Sequence, residues 1–193
     1  KWDPNKIIFS GGLIKENGAR NLIPIFKKIH KKNRKIKLII LGDGEEKKFM
    51  EKQAIKYNLE KKIEFYGYIS NQNKIIEIQS QCALGLAPYP NTIETRKRFG
   101  DVIKIRMYFA SCLPTISTNV PPIYKEIETE KLGSVVKSNN YNIFAKAAIE
   151  LLSNKALLSK TRKNVFKKAQ NSSWEKTYSR ALKESTITQK ETS

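Results

Sequence analysis

Two hydrophobic periods succeed each other along this chain. Lys6 to Ser10 (KIIFS) is a short apolar run ended by Gly11-Gly12, the pattern of a buried strand. From Ala19 to Lys32, Leu22, Ile23, Ile25, Phe26 and Ile29 recur at helical spacing. Lys27, Lys28, Lys31 and Lys32 gather at the C-terminal end of that helix, where cations suit its dipole, and Pro24 falls in its first turn or two. Lys37 to Leu41 (KLIIL) runs into Gly42-Asp43-Gly44, and Glu45 to Tyr57 reads as a helix with Glu45 and Glu46 at its positive end. Lys62 to Tyr66 is a third strand stopped by Gly67, Asn73 to Gln81 a short helix, and Cys82 to Ala87 a fourth strand stopped by Pro88 and Pro90.

A charged loop, Asn91 to Gly100, leads to a helix over Val102 to Ser111, then to strands at Pro114 to Thr118 and Gly133 to Val136. After Tyr141 the pattern is helical: Asn142 to Ser153, Lys155 to Gln170, and Ser173 to Glu184, the last capped by Ser172 or Ser173 with Glu175 in its first turn. Ser185 to Ser193 has no apolar face and reads as a disordered tail, leaving residues 1–184 as one domain. Strands joined by helices of this length predict an α/β fold: a Rossmann-like parallel sheet of about six strands with helices on both faces.

Composition narrows the class. At 193 residues the chain can own a real core, and 39% hydrophobic with 28% charged residues excludes collagenous and wholly disordered chains. The longest apolar runs, Ile36 to Leu41 and Ala83 to Ala87, are far short of the ~20 residues that span a bilayer. Lys1-Trp2-Asp3-Pro4 has no signal-peptide character and reads as a sequence entered partway, so a preceding N-terminal domain is expected. Cys82 and Cys112 sit in apolar contexts without a nearby Cys or His, as small buried side chains do, which fits the cytoplasm.

The net charge of +19 permits nucleic acid, an anionic lipid surface or a phosphorylated small molecule as partner, and solvated helix faces equally. The excess is mostly lysine without aromatic and arginine interleaving. That speaks against nucleic acid and fits peripheral contact with anionic membrane at the inner face of the plasma membrane. His30, amid lysines at a helix end, reads as solvated or satisfied by the dipole; no metal cluster and no Ser-His-Asp set is available.

In an open parallel sheet, ligands bind outside the carboxyl ends of the strands, where helix N-termini present N–H groups to anions. That nominates the loops Gly11 to Gly18, Gly42 to Gly44, Gly67 to Ile69, Pro88 to Asp101 and Thr118 to Pro122. The Gly11-Gly12 turn is either a plain tight turn or a close approach to phosphate; the spacings of the dinucleotide fingerprint and of the P-loop are absent. Asp101 can cap the helix that follows it. Lys104 and Arg106 in its first two turns can reach an anion there, or stand as surface charge.

The stretches IIFSGGLIKENGARNLI, KLIILGDGEEKKFMEKQAIKYNLEKKIEFYGYI, CALGLAPY, DVIKIRMYFASCLPTISTNVPPI and SSWEKTYSRAL, in this order from about Lys6 to Glu184, resemble one family. It is the C-terminal, donor-binding domain of retaining GT-B fold glycosyltransferases of family 4 (group 1). The resemblance implies a nucleotide-diphosphate sugar held across a cleft from an N-terminal acceptor domain, no metal or other cofactor, and transfer to a cell-envelope or lipid-linked glycan. By position it implies that Gly11 and Gly12 approach the donor and that Gly67, Tyr68 and Ile69 border the base. The helix start at Asp101, Val102, Ile103 and Lys104 would face the diphosphate, and the Trp174 helix would brace the N-terminal domain.

The chain departs from the family pattern at functional positions. Gly12 stands where arginine is common and Asn17 where lysine is common, leaving Lys15, Lys104 and Arg106 as substitute cations. The paired glutamates separated by seven residues are not reproduced. With IKIRMYFASCLP aligned on lysine, two residues, then Glu-Tyr-Met-Ala, the ribose-holding glutamate falls on Met107 and a glycine on Cys112. Losing a charged hydrogen bond costs roughly 1.5–3 kcal/mol; Glu94 is a stand-in if its loop folds back. Three readings stay open: a transferase half; a degenerate GT-B domain serving as a binding or assembly module; and a non-transferase such as a related sugar-nucleotide epimerase or a basic nucleic-acid module.

Overall fold

The computed structural model describes residues 1–92, 96–100, 102–137 and 139–171. The expected helix over Ser173 to Glu184 with Trp174, the tail, Glu94 and Asp101 lie outside the described residues. The elements are β1 (Lys6–Ser10), α1 (Ala19–Lys32), β2 (Lys37–Leu41), α2 (Lys47–Lys56), β3 (Ile63–Gly67), α3 (Gln72–Ser80), β4 (Leu84–Ala87), α4 (Ile103–Ala110), β5 (Thr115–Thr118), α5 (Tyr124–Thr129), β6 (Gly133–Val136), α6 (Tyr141–Ser153) and α7 (Lys155–Asn171). The strands form one six-stranded sheet in the order β3-β2-β1-β4-β5-β6, every neighbouring pair parallel. This is the doubly wound α/β arrangement that the alternation predicts, with the strand order reversing between β1 and β4.

The pleat sorts each strand onto two faces. Ile7 and Phe9 of β1 with Leu38 and Ile40 of β2 point to one side, into a core with Leu22, Phe26 and Ile29 of α1, Met50 of α2, and Phe144 and Ala148 of α6. Ile8, Ile39 and Leu41 point to the other, against Tyr108 of α4 and the half-buried Ile75 and Ile78 of α3. Because α7 runs along the sheet's flank, its Leu158 joins the first core and its Val165 joins Ile105 and Phe109 of α4 and Ile127 of α5.

Several local expectations are corrected. Glu46 is not an exposed first-turn acid: α2 begins after it, and its buried carboxylate takes the Arg20 Nε–H at 2.7 Å. His30 is buried, its Nδ1 3.1 Å from the Ile36 carbonyl, because it lies one helical turn after Phe26 on the face that packs inward. Cys82 is buried as expected, and desolvation pushes its thiol up to about 12. Cys112 is only half-buried and sits at φ 52. It ends α4 in a Schellman turn, the Leu113 N–H reaching Tyr108 O at 2.9 Å and the Cys112 N–H reaching Phe109 O at 2.9 Å. Helix α5 was not foreseen, since its single buried position, Ile127, makes no period.

Candidate functional site

The reversal of strand order opens the sheet between β1 and β4, which pair only through Ile7↔Leu84 and Ile8↔Gly85. Beyond that point the Tyr108 hydroxyl enters between the strands. It accepts the Ser10 N–H at 2.9 Å and donates to the Leu86 carbonyl at 3.2 Å, replacing the ladder bonds that the parting removes. Burial raises the phenol well above its usual range, so it stays a neutral donor. Its ring has room only because residue 85 is glycine; a Cβ there would lie 2.7 Å from Tyr108 Cδ2.

Glycine turns crowd the carboxyl edge beside this opening. The Gly11 N–H reaches Leu41 O at 2.8 Å and the Gly42 N–H reaches Gly67 O at 2.7 Å, tying three loops side by side. A Cβ on Gly42 would lie 2.1 Å from the Gly11 carbonyl oxygen, so this close approach needs glycine. Asn17 donates its Nδ2–H to Gly12 O at 2.9 Å and braces the first loop from within. Lys15 stands exposed on the 3-10 turn Lys15–Asn17.

The side chain of Lys104 crosses this ground. Its Cε would lie 2.9 Å from a Cβ on Gly11, and its Nζ stands 3.7 Å from the centroid of the Phe9 ring and 4.9 Å from that of Tyr89. Part of the stem remains at the surface, but the Nζ is shut off from solvent and has no hydrogen-bond partner. Burial first, and the charge of Lys97 next, hold the amine well below its ordinary range. Two ring faces return about 0.5–2 kcal/mol to the ammonium, against several kcal/mol for desolvating it. An anion at this point would supply the missing counter-charge.

Such an anion would also meet the start of α4. Val102, the residue before the helix, caps it with no side-chain hydrogen bond. Among the described residues the first N–H of this turn with a backbone partner is that of Ile105, 3.0 Å from Val102 O, so the amides of Ile103 and Lys104 face outward. Ile103 is 77% exposed here, whereas Val102 is buried.

The structure separates two cations that the sequence places together. Arg106 follows Lys104 by two residues, about 200° around the helix. Its guanidinium forks onto Glu126 of α5, Nη1 at 2.9 Å and Nη2 at 2.8 Å, away from Gly11. Met107, one turn after Lys104, is half-buried, with the Gln72 Nε2 3.4 Å from its sulfur. The start of α3, not the loop meant to border a base, thus touches α4 at Met107; in that loop Tyr68 is 79% exposed, Ile69 packs against the core, and nothing lies within 4 Å of where a Cβ on Gly67 would stand. Phe9 and Tyr89 close over the Lys104 amine; Tyr89 lies in the nominated loop Pro88 to Asp101 but was not singled out, and Phe9 looks like an ordinary core residue in the sequence. A small concavity between α1 and the start of α6 shares Tyr89 as a wall but not Gly11 or Lys104.

Comparison with known proteins agrees with this fold. The model of the family "Glycosyl transferases group 1" matches residues 1–172. The C-terminal domain of a group 1 glycosyl transferase, LpcC of Francisella tularensis, superposes with a TM-score of 0.74 at 19% identity, over 86% of this chain and 85% of that one. TarM of S. aureus, in a complex that includes UDP, gives 0.71 at 22% identity over 88% of this chain and 34% of TarM. HepE of Anabaena, also solved with UDP, gives 0.72 at 16% identity over 86% of this chain and 44% of HepE. This chain therefore spans less than half the length of either of the latter two proteins. No curated protein matches the sequence. With the family model running through the whole sheet and its helices, the chain belongs to the group 1 glycosyl transferases.

Proposed function

We propose that this chain is the donor-binding half of a retaining glycosyltransferase. It would bind a nucleoside-diphosphate sugar whose sugar passes to a cell-envelope or lipid-linked glycan held by an N-terminal acceptor domain. The observation that carries this reading is the Lys104 Nζ, buried and unpartnered beside the bare backbone of Gly11 and the open start of α4. As the bond between sugar and diphosphate breaks, negative charge grows on the leaving phosphoryl oxygens. On this reading the Lys104 ammonium and the first amides of α4 would compensate it, as groups positioned in advance of the reaction do. On this reading the diphosphate needs no metal ion.

Gly67, Tyr68 and Ile69 would border the base, and Met107 with Gln72 would take the place of the carboxylate that holds ribose in the family pattern. The UDP complexes of TarM and HepE make UDP the first nucleotide to test. Among the described residues no helix is long and apolar enough to cross a membrane. The exposed Lys27, Lys28, Lys31 and Lys32 at the end of α1 would instead favour peripheral contact with an anionic inner leaflet, at about 1 kcal/mol per residue near the surface.

One observation favours a second reading, a degenerate domain that keeps the fold for binding or assembly: a thioether at Met107 cannot accept ribose hydroxyls as a carboxylate does. Titrating the full-length protein with UDP, GDP and ADP separates the two. Saturable binding of one nucleotide supports the donor site, and no affinity for any at millimolar concentration supports the degenerate domain.

A further inference from the structure

Because β1 and β2 are parallel, α1 between them runs from the carboxyl edge of the sheet back to its amino edge, about 20 Å at 1.5 Å per residue. Gly11 and the start of α4 lie at one end of that distance, and the turn from α1 into β2 lies at the other. The turn is held from within: the Asn33 N–H reaches Ile29 O at 3.0 Å, the Ile36 N–H reaches Asn33 O at 3.2 Å, and His30 Nδ1 stands 3.1 Å from Ile36 O. With His30 and Ile36 buried, Lys31, Lys32, Arg34 and Lys35 are all left exposed. The dipole of α1 accounts for cations in its last turn, but Arg34 and Lys35 lie beyond the helix.

Strand register carries the positive charge along the same edge. Lys6 of β1 is the partner of Lys37 of β2, and Lys62 immediately precedes Ile63, the partner of Leu38, so three neighbouring strands each enter the sheet through a lysine. Glu64 pairs with Lys37 at 3.1 Å, while Lys61 beside Lys62 is exposed. Lys27 Nζ lies 3.8 Å from the centroid of the Tyr57 ring and so joins the end of α1 to the end of α2, where Ile55 is 64% exposed. From Lys27 to Lys37 the sequence has seven cations and no acid. A face of lysines with one arginine, an aromatic ring already covered by an ammonium and an exposed aliphatic side chain suits lipid headgroups better than stacked bases.

We propose that the amino edge of β1, β2 and β3, with the α1–β2 turn at its centre, is the surface that meets an anionic bilayer. The donor site at the carboxyl edge then faces away from the lipid, open to nucleotide sugar from solution. This orientation rests on the peripheral contact proposed above and fixes which end of the molecule makes it.

Cosedimentation of the full-length protein with vesicles of phosphatidylcholine alone, or of phosphatidylcholine with phosphatidylglycerol, tests the orientation. Wild type is expected to bind only the anionic vesicles, and less as salt rises. The variant Lys31→Gln, Lys32→Gln, Arg34→Gln, Lys35→Gln should bind them about a hundredfold more weakly or worse, roughly fivefold for each charge. The charge-matched variant Lys155→Gln, Lys160→Gln, Lys163→Gln, Lys167→Gln, all four exposed on α7, should lose less than about fivefold. In wild type, amine acylation read by mass spectrometry should find Lys31, Lys32 and Lys35 protected by anionic vesicles and Lys15, at the carboxyl edge, unprotected. Equal losses in the two variants, or protection of Lys15 together with Lys31, overturn the orientation and leave peripheral contact standing. Wild type that ignores anionic vesicles, or that prefers a single-stranded oligonucleotide to them through the same lysines, removes the membrane contact and this inference with it, without touching the donor site.

Discussion

The Tyr108 hydroxyl accepts the Ser10 N–H at 2.9 Å, at the point where β1 and β4 part. That bond, with the one Tyr108 donates to Leu86 O, lets the sheet open beneath the candidate site without leaving buried backbone groups unsatisfied. Tyr108→Phe keeps the ring against Gly85 and removes only the hydroxyl. Urea unfolding should show a loss of about 1–3 kcal/mol with an unchanged slope, the cost of orphaning buried polar groups.

Lys104 is expected to destabilise the fold that carries it. The groups facing its amine are the Phe9 and Tyr89 rings, and the charge of Lys97 also acts on it; burial holds the Tyr89 phenol above its usual range, so it supplies no negative charge. Lys104→Met keeps the stem and removes the charge, and should stabilise the unliganded protein by about 1–3 kcal/mol at neutral pH, raising Tm by roughly 2–4 °C per kcal/mol. The sign of the pH dependence follows from the depressed amine. Between its folded value and the unfolded value near ~10.4, the unfolded chain binds more protons, so wild-type stability rises with pH through that window. The variant's advantage should therefore be full below the folded value and vanish above ~10.4, as thermal melts across pH would read directly.

Cys112 occupies a left-handed position, φ 52, that glycine fills without strain. Cys112→Gly should stabilise the end of α4 by about 0.5–1 kcal/mol, the relief of the side-chain clash less the extra freedom of glycine in the unfolded chain. Chemical denaturation gives the value, and a loss of stability would mean that the half-buried thiol contributes more packing than the turn loses to strain.

Arg106 and Lys104 should behave oppositely. Arg106→Ala breaks an exposed pair with Glu126, which still holds Lys168 at 2.8 Å, and should cost about 0.2–1 kcal/mol of stability while leaving nucleotide affinity unchanged. Binding isotherms for the two single variants, measured side by side, separate the roles.

The sheet was legible because KIIFS and KLIIL are buried on both faces and end in glycine, so that hydrophobic run, length and stop agree. Helix α5 was not, having six residues and one inward side chain. At the site, the sequence places Lys104 at a helix start but cannot show that Phe9 and Tyr89 close over its amine, since that cage exists only after β1 and β4 lie side by side. Lys104 and Arg106 read as equivalent when counted along the chain and differ once the helical period is applied.

The account turns on whether the buried amine of Lys104 holds a diphosphate. Titrating UDP into full-length wild type and Lys104→Met by calorimetry, with thermal melts to establish that both are folded, addresses it most directly. The donor-site account predicts saturable binding to wild type and a loss of at least about tenfold in the variant, alongside a variant at least as stable as wild type. UDP bound equally well by both proteins would contradict it.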